Sequence, residues 1–151
     1  MTDTAQLDAV LQRLQRLEDI EEIRKLYVAY GRHLDDGDAA AYAGLFAREA
    51  KLRLGGVMRA DGREEIEKVA ANVVAPLAAS EHKSLHILAS PVIEVEGDRA
   101  RGECVWAAVS ARGGSGPAIT LMGRHVDEFV REDGHWRFAL RKGLLDLGRL
   151  G

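Results

Sequence analysis

Apolar residues recur at Leu7, Val10, Leu11, Leu14, Leu17, Ile20, Ile23, Leu26, Tyr27, Tyr30 and Leu34. Spacings of three and four keep side chains on one side of an α-helix. The pattern predicts one long helix, or two joined end to end, carrying a single buried stripe. Gln12, Arg13, Glu18, Glu21, Glu22, Arg24 and Lys25 fall between and make a solvated face with opposite charges at helical distance. Gly31 interrupts the pattern at a cost of about 1 kcal/mol relative to alanine, which points to close backbone packing or a fraying final turn. The helix is expected to end near Asp36-Gly37.

Asp38 is placed to cap a short helix over residues 39–46, its carboxylate accepting from first-turn amides. Residues 50–54 and 56–59 read as short strands around Gly55-Gly56. Asp61-Gly62 precedes another amphipathic helix, residues 63–74, expected to end by Pro76. The period then changes to two. Residues 85–95, 99–111, 119–131 and 136–145 are strand-like, separated by Glu96-Gly97-Asp98, residues 113–117 and Glu132-Asp133-Gly134. Three successive hairpins make a meander. Helices first and a long antiparallel sheet afterwards predict an α+β fold in one domain, residues 1–151. Strands of that length twist and curl, so the sheet is expected to be concave, with the helices closing its open side around a pocket.

Composition narrows the function classes. The 151 residues are 46% hydrophobic and 30% charged with a formal net charge of −3, and acidic and basic residues interleave, so no footprint for nucleic acid or an anionic membrane is present. The N-terminal residues lack the basic region and apolar core of a signal peptide, and no apolar run approaches ~20 residues, which predicts a cytoplasmic protein. The single cysteine, Cys104, lies in an apolar run and reads as a packed thiol rather than a nucleophile. No His-x-x-x-His or Cys/His cluster occurs, so neither a metal nor another cofactor is expected. Gly113 to Gly116 lack the Gly-Lys-Ser ending of a phosphate loop and read as a hairpin loop.

Two polar positions stand out. In Ser84-Leu85-His86-Ile87-Leu88, strand alternation puts Ser84, His86 and Leu88 on one face, and a covered imidazole needs a hydrogen-bond partner. A structural histidine satisfied by a backbone carbonyl meets that need as well as a catalytic one does. Asp35 sits at the C-terminal end of the long helix, where the helix dipole disfavours negative charge. It is either a turn residue or a carboxylate held by a partner.

The segments from Leu17-Glu18-Asp19-Ile20 to Tyr27, the Leu34-Asp35-Asp36-Gly37-Asp38 turn, the residues 42–46 helix and the closing Asp133-Gly134-His135-Trp136-Arg137-Phe138 hairpin resemble the SnoaL-like branch of the nuclear-transport-factor-two-like superfamily of cone-shaped α+β barrels. The family hosts eliminations, isomerisations, cyclisations and simple binding, so the fold alone does not give a function. In polar residues the chain is similar to its dehydratase and dehydrochlorinase types. There an aspartate ending the first helix orients a histidine on a facing strand, and the matching positions are Asp35 and His86. The resemblance also matches a dehydratase tyrosine with Tyr30 and the dehydrochlorinase arginine with Arg141. The asparagine-rich run of the dehydrochlorinase type is only partly reproduced in Ala71-Asn72-Val73-Val74-Ala75-Pro76. What the resemblance implies is a cofactor-independent lyase acting on a small hydrophobic, cyclic molecule, as a homotrimer or homodimer packed through the sheet. An isomerase or cyclase using the same dyad, or a binding domain, are the alternatives.

A carboxylate on one imidazole nitrogen fixes the tautomer, leaving the other nitrogen to take a proton from carbon. Tyr30 would then donate to a departing hydroxyl or enolate oxygen, and Arg141 would stabilise a halide or oxyanion. Tyr27, His33, Leu88, Trp106 and His125 are the candidates for lining the substrate cavity. His82, between Glu81 and Lys83, reads as solvated.

Overall fold

The computed structural model describes residues 2–81, 84–111 and 116–149, so His82 and residues 112–115 of the glycine-rich loop lie outside the described residues. The chain runs α1 (Thr2–Asp36), α2 (Ala39–Gly44), β1 (Phe46–Leu54), β2 (Met58–Asp61), α3 (Arg63–Ala79), β3 (Ser84–Glu96), β4 (Arg99–Ser110), β5 (Ala118–Glu132) and β6 (His135–Leu147). The strands form one curved sheet in the order β2-β1-β6-β5-β4-β3, giving an α+β fold. The meander over β3 to β6 is antiparallel throughout. Strand β1 joins it in parallel to β6, with Leu52 opposite Arg141, a crossover that no local pattern announces.

The core lies between the concave face and the helices. Tyr27 and Tyr30 of α1 meet Phe129 and Phe138 edge-on at centroid distances from 5.8 to 6.0 Å, geometry that suits the aromatic quadrupoles. Asp19 is the first residue of α1 to be buried; its carboxylate accepts from Trp136 Nε1 at 3.0 Å and Arg131 at 2.8 Å. That contact pins the middle of the helix to the sheet. Asp38 caps α2 by accepting from the Ala41 amide at 2.9 Å, worth about 1 kcal/mol.

Two expectations are corrected. Helix α3 runs through Pro76 to Ala79. Proline removes a single intrahelical hydrogen bond, and the burial of Val74 with the packing of Val73 against the core holds the last turns on the sheet. The apolar positions of α1 form two stripes, of which one is buried. Ile23, Leu26, Tyr27 and Tyr30 are buried, whereas Leu7, Val10, Leu11, Leu14 and Leu17 are between 49% and 64% exposed. The step from Leu17 to Ile20 and Ile23 is three residues twice over, which falls short of a full turn each time and rotates the stripe round the helix.

Gly31 shows close packing rather than fraying. A Cβ there would lie 3.0 Å from Leu88 Cδ1 and 3.4 Å from the His86 carbonyl oxygen, so a missing side chain lets α1 rest directly on β3. The last turn of α1 is thereby brought within reach of the histidine strand.

Candidate active site

A cavity of about 630 Å³ opens on the concave face, walled by α1, α3 and strands from β1 to β6. Leu34, Leu54, Val57, Met58, Val73 and Leu77 make its apolar part, while Ser84, Ser110 and Thr120 lie on the strand walls. The size suits a small ring system, and the lining is apolar with a few polar groups, the usual composition of a ligand site.

His86 lines this cavity. Strand alternation turns Leu85 and Ile87 to the outer face, where both are exposed, and His86 and Leu88 inward. Asp35 comes from the other direction, off the end of α1. Its Oδ1 lies 2.6 Å from His86 Nδ1, and both carboxylate oxygens accept from the His86 backbone amide at 3.1 Å. One carboxylate therefore holds the ring and the strand together. In the neutral ring, a proton on Nδ1 donated to Asp35 would leave Nε2 as the nitrogen able to accept one.

Beside the dyad, Tyr30 is buried yet lines the cavity. Tyr42 of α2 donates to the Tyr30 hydroxyl at 3.1 Å, and burial pushes the Tyr30 phenol above its ordinary range. Tyr30 is thus a neutral phenol. Because its oxygen already accepts, its own proton is the one available to a ligand.

Arg141 sits underneath and does not line the cavity. It is 0% exposed, donates to Asp127 Oδ2 at 3.0 Å and lies 3.9 Å from the centroid of the Tyr30 ring, with Phe138 and Tyr27 also in range. A substrate in the cavity touches Tyr30, not Arg141. The position anticipated for direct leaving-group contact is instead a cation under an aromatic floor, where cation–π attraction and the Asp127 pair offset part of its desolvation. Burial pushes Asp127 up to about 6 despite the neighbouring guanidinium. The Tyr27 hydroxyl faces Asp127 without a well-formed hydrogen bond.

The other anticipated lining residues divide. Leu88, Trp106 and His125 reach the cavity, and Trp106 Nε1 donates to the Leu144 carbonyl at 3.3 Å. Tyr27 does not; it borders a separate crevice of about 320 Å³ with Leu88, Pro91 and Cys104. His33 is half-buried and borders neither. Burial raises the Cys104 thiol to about 11, which keeps it protonated and unreactive. Among the described residues, no group of three or more His, Cys, Asp or Glu side chains is arranged to hold a metal ion. Nor is any helix long and apolar enough to cross a membrane.

Two participants escaped the sequence. Tyr42 has no pattern to mark its aim at Tyr30. Asp127 shares the inward alternation of Gly123 and His125, but its pairing with Arg141 follows from the β5–β6 register, which sets the two opposite each other.

His125 packs edge-on against Tyr30 at 5.7 Å and beside Trp106 at 5.7 Å. Burial first, then the charges of Arg141 and His86, hold its pKa well below the ordinary imidazole value. The folded ring stays neutral while the unfolded ring takes a proton, so this contribution to stability is present above about pH 6.5 and drains away as pH falls below it. Asp127 acts oppositely: its raised carboxyl binds its proton more tightly when folded, adding stability as pH falls from about 6 towards the ordinary carboxylate range. The His125 effect is isolated by comparing urea unfolding of the wild type and His125→Asn at pH 7.5 and 5.5. The wild type is expected to lose more stability than the variant over that interval; parallel losses would exclude a neutral buried ring.

The SnoaL-like domain pattern matches residues 15–142 of the chain. The chain belongs to the SnoaL-like domain family. No curated protein matches this SnoaL-like chain. Among solved structures, an NTF2-like protein with a cystatin-like fold from Novosphingobium aromaticivorans is 29% identical, with 95% of this chain and 92% of that one covered and a TM-score of 0.83. A scytalone dehydratase-like protein from the same organism is 23% identical over 97% of this chain and 89% of its own, TM-score 0.69. A hexachlorocyclohexane dehydrochlorinase of type 2 is 22% identical over 89% and 90%, TM-score 0.76. These likenesses establish the NTF2-like fold of the SnoaL-like chain.

Proposed function

We propose that this protein is a cofactor-independent lyase that eliminates water from a small hydrophobic cyclic alcohol, with His86 as general base and Asp35 as its orienting carboxylate. The observation that carries the reading is the 2.6 Å contact between Asp35 Oδ1 and His86 Nδ1 on a histidine that lines the cavity. A binding domain has no need of a carboxylate spent on fixing a tautomer. The fold shared with dehydratase-like and dehydrochlorinase proteins is consistent with elimination.

The chemistry closes on residues of the chain. His86 Nε2 takes the proton from the carbon next to the one bearing the hydroxyl, and that C–H electron pair becomes the double bond. The C–O bond breaks, and the hydroxyl leaves as water with the Tyr30 proton. Arg141 under the ring offsets the transient phenolate. Return of the proton from His86 to Tyr30 through the product water resets the site. Loss of water is favoured over loss of halide because Arg141 is sealed from the cavity, whereas Tyr30 offers the proton that a hydroxyl needs and a halide does not.

The test is to incubate the purified protein with a panel of cyclic alcohols, matched halides and unsaturated ketones and to follow product mass. Formation of alkenes lighter by one water supports the reading. Products of unchanged mass would make the dyad an isomerase's proton shuttle, and tight binding across the panel without turnover would make the cavity a carrier site.

A further inference from the structure

The exposed apolar stripe on the first half of α1 is a feature that the proposed chemistry leaves unused. At 100° per residue, Leu7, Val10, Leu11, Leu14 and Leu17 centre on the side of the helix roughly opposite Asp19, Ile23, Leu26, Tyr27 and Tyr30. The latter residues face the chain's own sheet. The domain to which the helix belongs therefore cannot fold back over the stripe without breaking the straight helix. Residues 3–18 are all exposed, and a helical segment of about that length is marginal in water without tertiary support. Five large apolar side chains on one such segment call for a cover from outside the chain.

We infer that the cover is the same stripe of a second copy, with the two helices parallel. Leu7, Val10, Leu14 and Leu17 follow spacings of three, four and three, the seam of a two-heptad coiled coil, and Leu11 beside it widens the apolar face. Arg13 and Glu18 flank the seam five residues apart. In a parallel pair Arg13 of one helix lies next to the partner's Glu18, twice over by symmetry. An antiparallel pair that matched the same apolar positions would set Arg13 against the partner's Arg13. Charge thus selects the parallel arrangement. Glu21 occupies the next seam position and ends the contact where the sheet begins to take over the helix. This interface is separate from the outer sheet face, and it does not depend on the lyase reading.

The experiment is site-directed crosslinking of the full chain. Leu14→Cys places a thiol on the seam, and Arg16→Cys, on the outward side, is the control; the native Cys104 is buried and does not compete. Under mild oxidation at micromolar concentration, Leu14→Cys is expected to form a disulfide-linked dimer at least tenfold faster than Arg16→Cys. Parallel helices bring the two seam positions together within disulfide reach. Equal rates for the two would overturn the inference and leave the stripe to another surface, such as the outer sheet face. A mixture of Val10→Cys and Leu14→Cys chains that crosslinks mainly between unlike partners would overturn the parallel arrangement. Sedimentation of Leu14→Glu gives a second reading: the dissociation constant of the association through α1 is expected to rise at least 100-fold, and an unchanged constant would count against the seam.

Discussion

Replacing His86 by glutamine is expected to lower turnover of the dehydrated substrate by about 10²- to 10⁴-fold, the usual contribution of a positioned general base. Glutamine keeps the polarity of the position and its backbone amide, so the Asp35 contacts to that amide at 3.1 Å survive. Ligand affinity should change little, because the rest of the largely apolar cavity wall is left intact. Asp35→Asn is expected to give a loss of the same order for a different reason. Its carboxamide has one acceptor oxygen where the carboxylate has two, so its NH₂ group must face either the His86 amide or Nδ1. In one orientation the imidazole loses the acceptor that fixes its tautomer and in the other β3 loses an anchor, and in both the negative charge that would stabilise the imidazolium is gone. Steady-state rates with product detection by mass check both variants, with unfolding curves to separate the strand effect from the ring effect. Undiminished turnover in His86→Gln would remove the base from the mechanism.

Arg141→Met should lower stability by about 3–5 kcal/mol, because it strands the buried Asp127 carboxylate without its cation. The deficit has a pH signature. Without the guanidinium, the Asp127 carboxyl, already raised to about 6 by burial, rises further. An acid whose folded pKa lies above its unfolded one destabilises the fold as pH increases through that interval. Urea unfolding should therefore show a larger deficit at pH 8 than at pH 5.5. The double variant Arg141→Met/Asp127→Leu removes both charges and is expected to recover most of the loss, since a buried ion pair adds little over an apolar pair of similar volume. A single variant as stable as the wild type would show that the pair is not the strut under Tyr30. The double variant also separates two roles for Arg141: retained stability with a reduced rate would mark the guanidinium as a positioning group acting through the Tyr30 ring.

Most of the architecture was legible because its signals are local. Period-two runs marked β3 to β6 to within two residues at either end, and aspartate, glycine and proline punctuation marked the turns. Failures came where local rules meet tertiary packing. Pro76 signals a helix end, yet α3 continues because Val73 and Val74 gain more from the core than one missing hydrogen bond costs. The long apolar series in α1 looked like one stripe because spacings of three and four were satisfied throughout; two successive steps of three between Leu17 and Ile23 turn the face, and exposure shows the result.

Within the site, residue chemistry and helix-end placement were enough to single out His86 and Asp35, since a carboxylate at a helix C-terminus and an imidazole among aliphatic residues each need a partner. Sequence separates them by fifty-one positions and carries no distance between them. Whether Arg141 faced substrate or core was equally undetermined, because strand alternation assigns a face without saying what covers it. The chain's pattern of apolar, charged and turn residues determined the elements and the inward sets of side chains. The curvature of the sheet and the close seat of α1 over Gly31 decided which of those side chains meet: they brought Asp35 to His86, put Tyr42 against Tyr30, and shut Arg141 beneath the cavity floor. Those contacts arise between elements distant in sequence, where the free energy of packing many residues at once, and no local preference, selects the pairing.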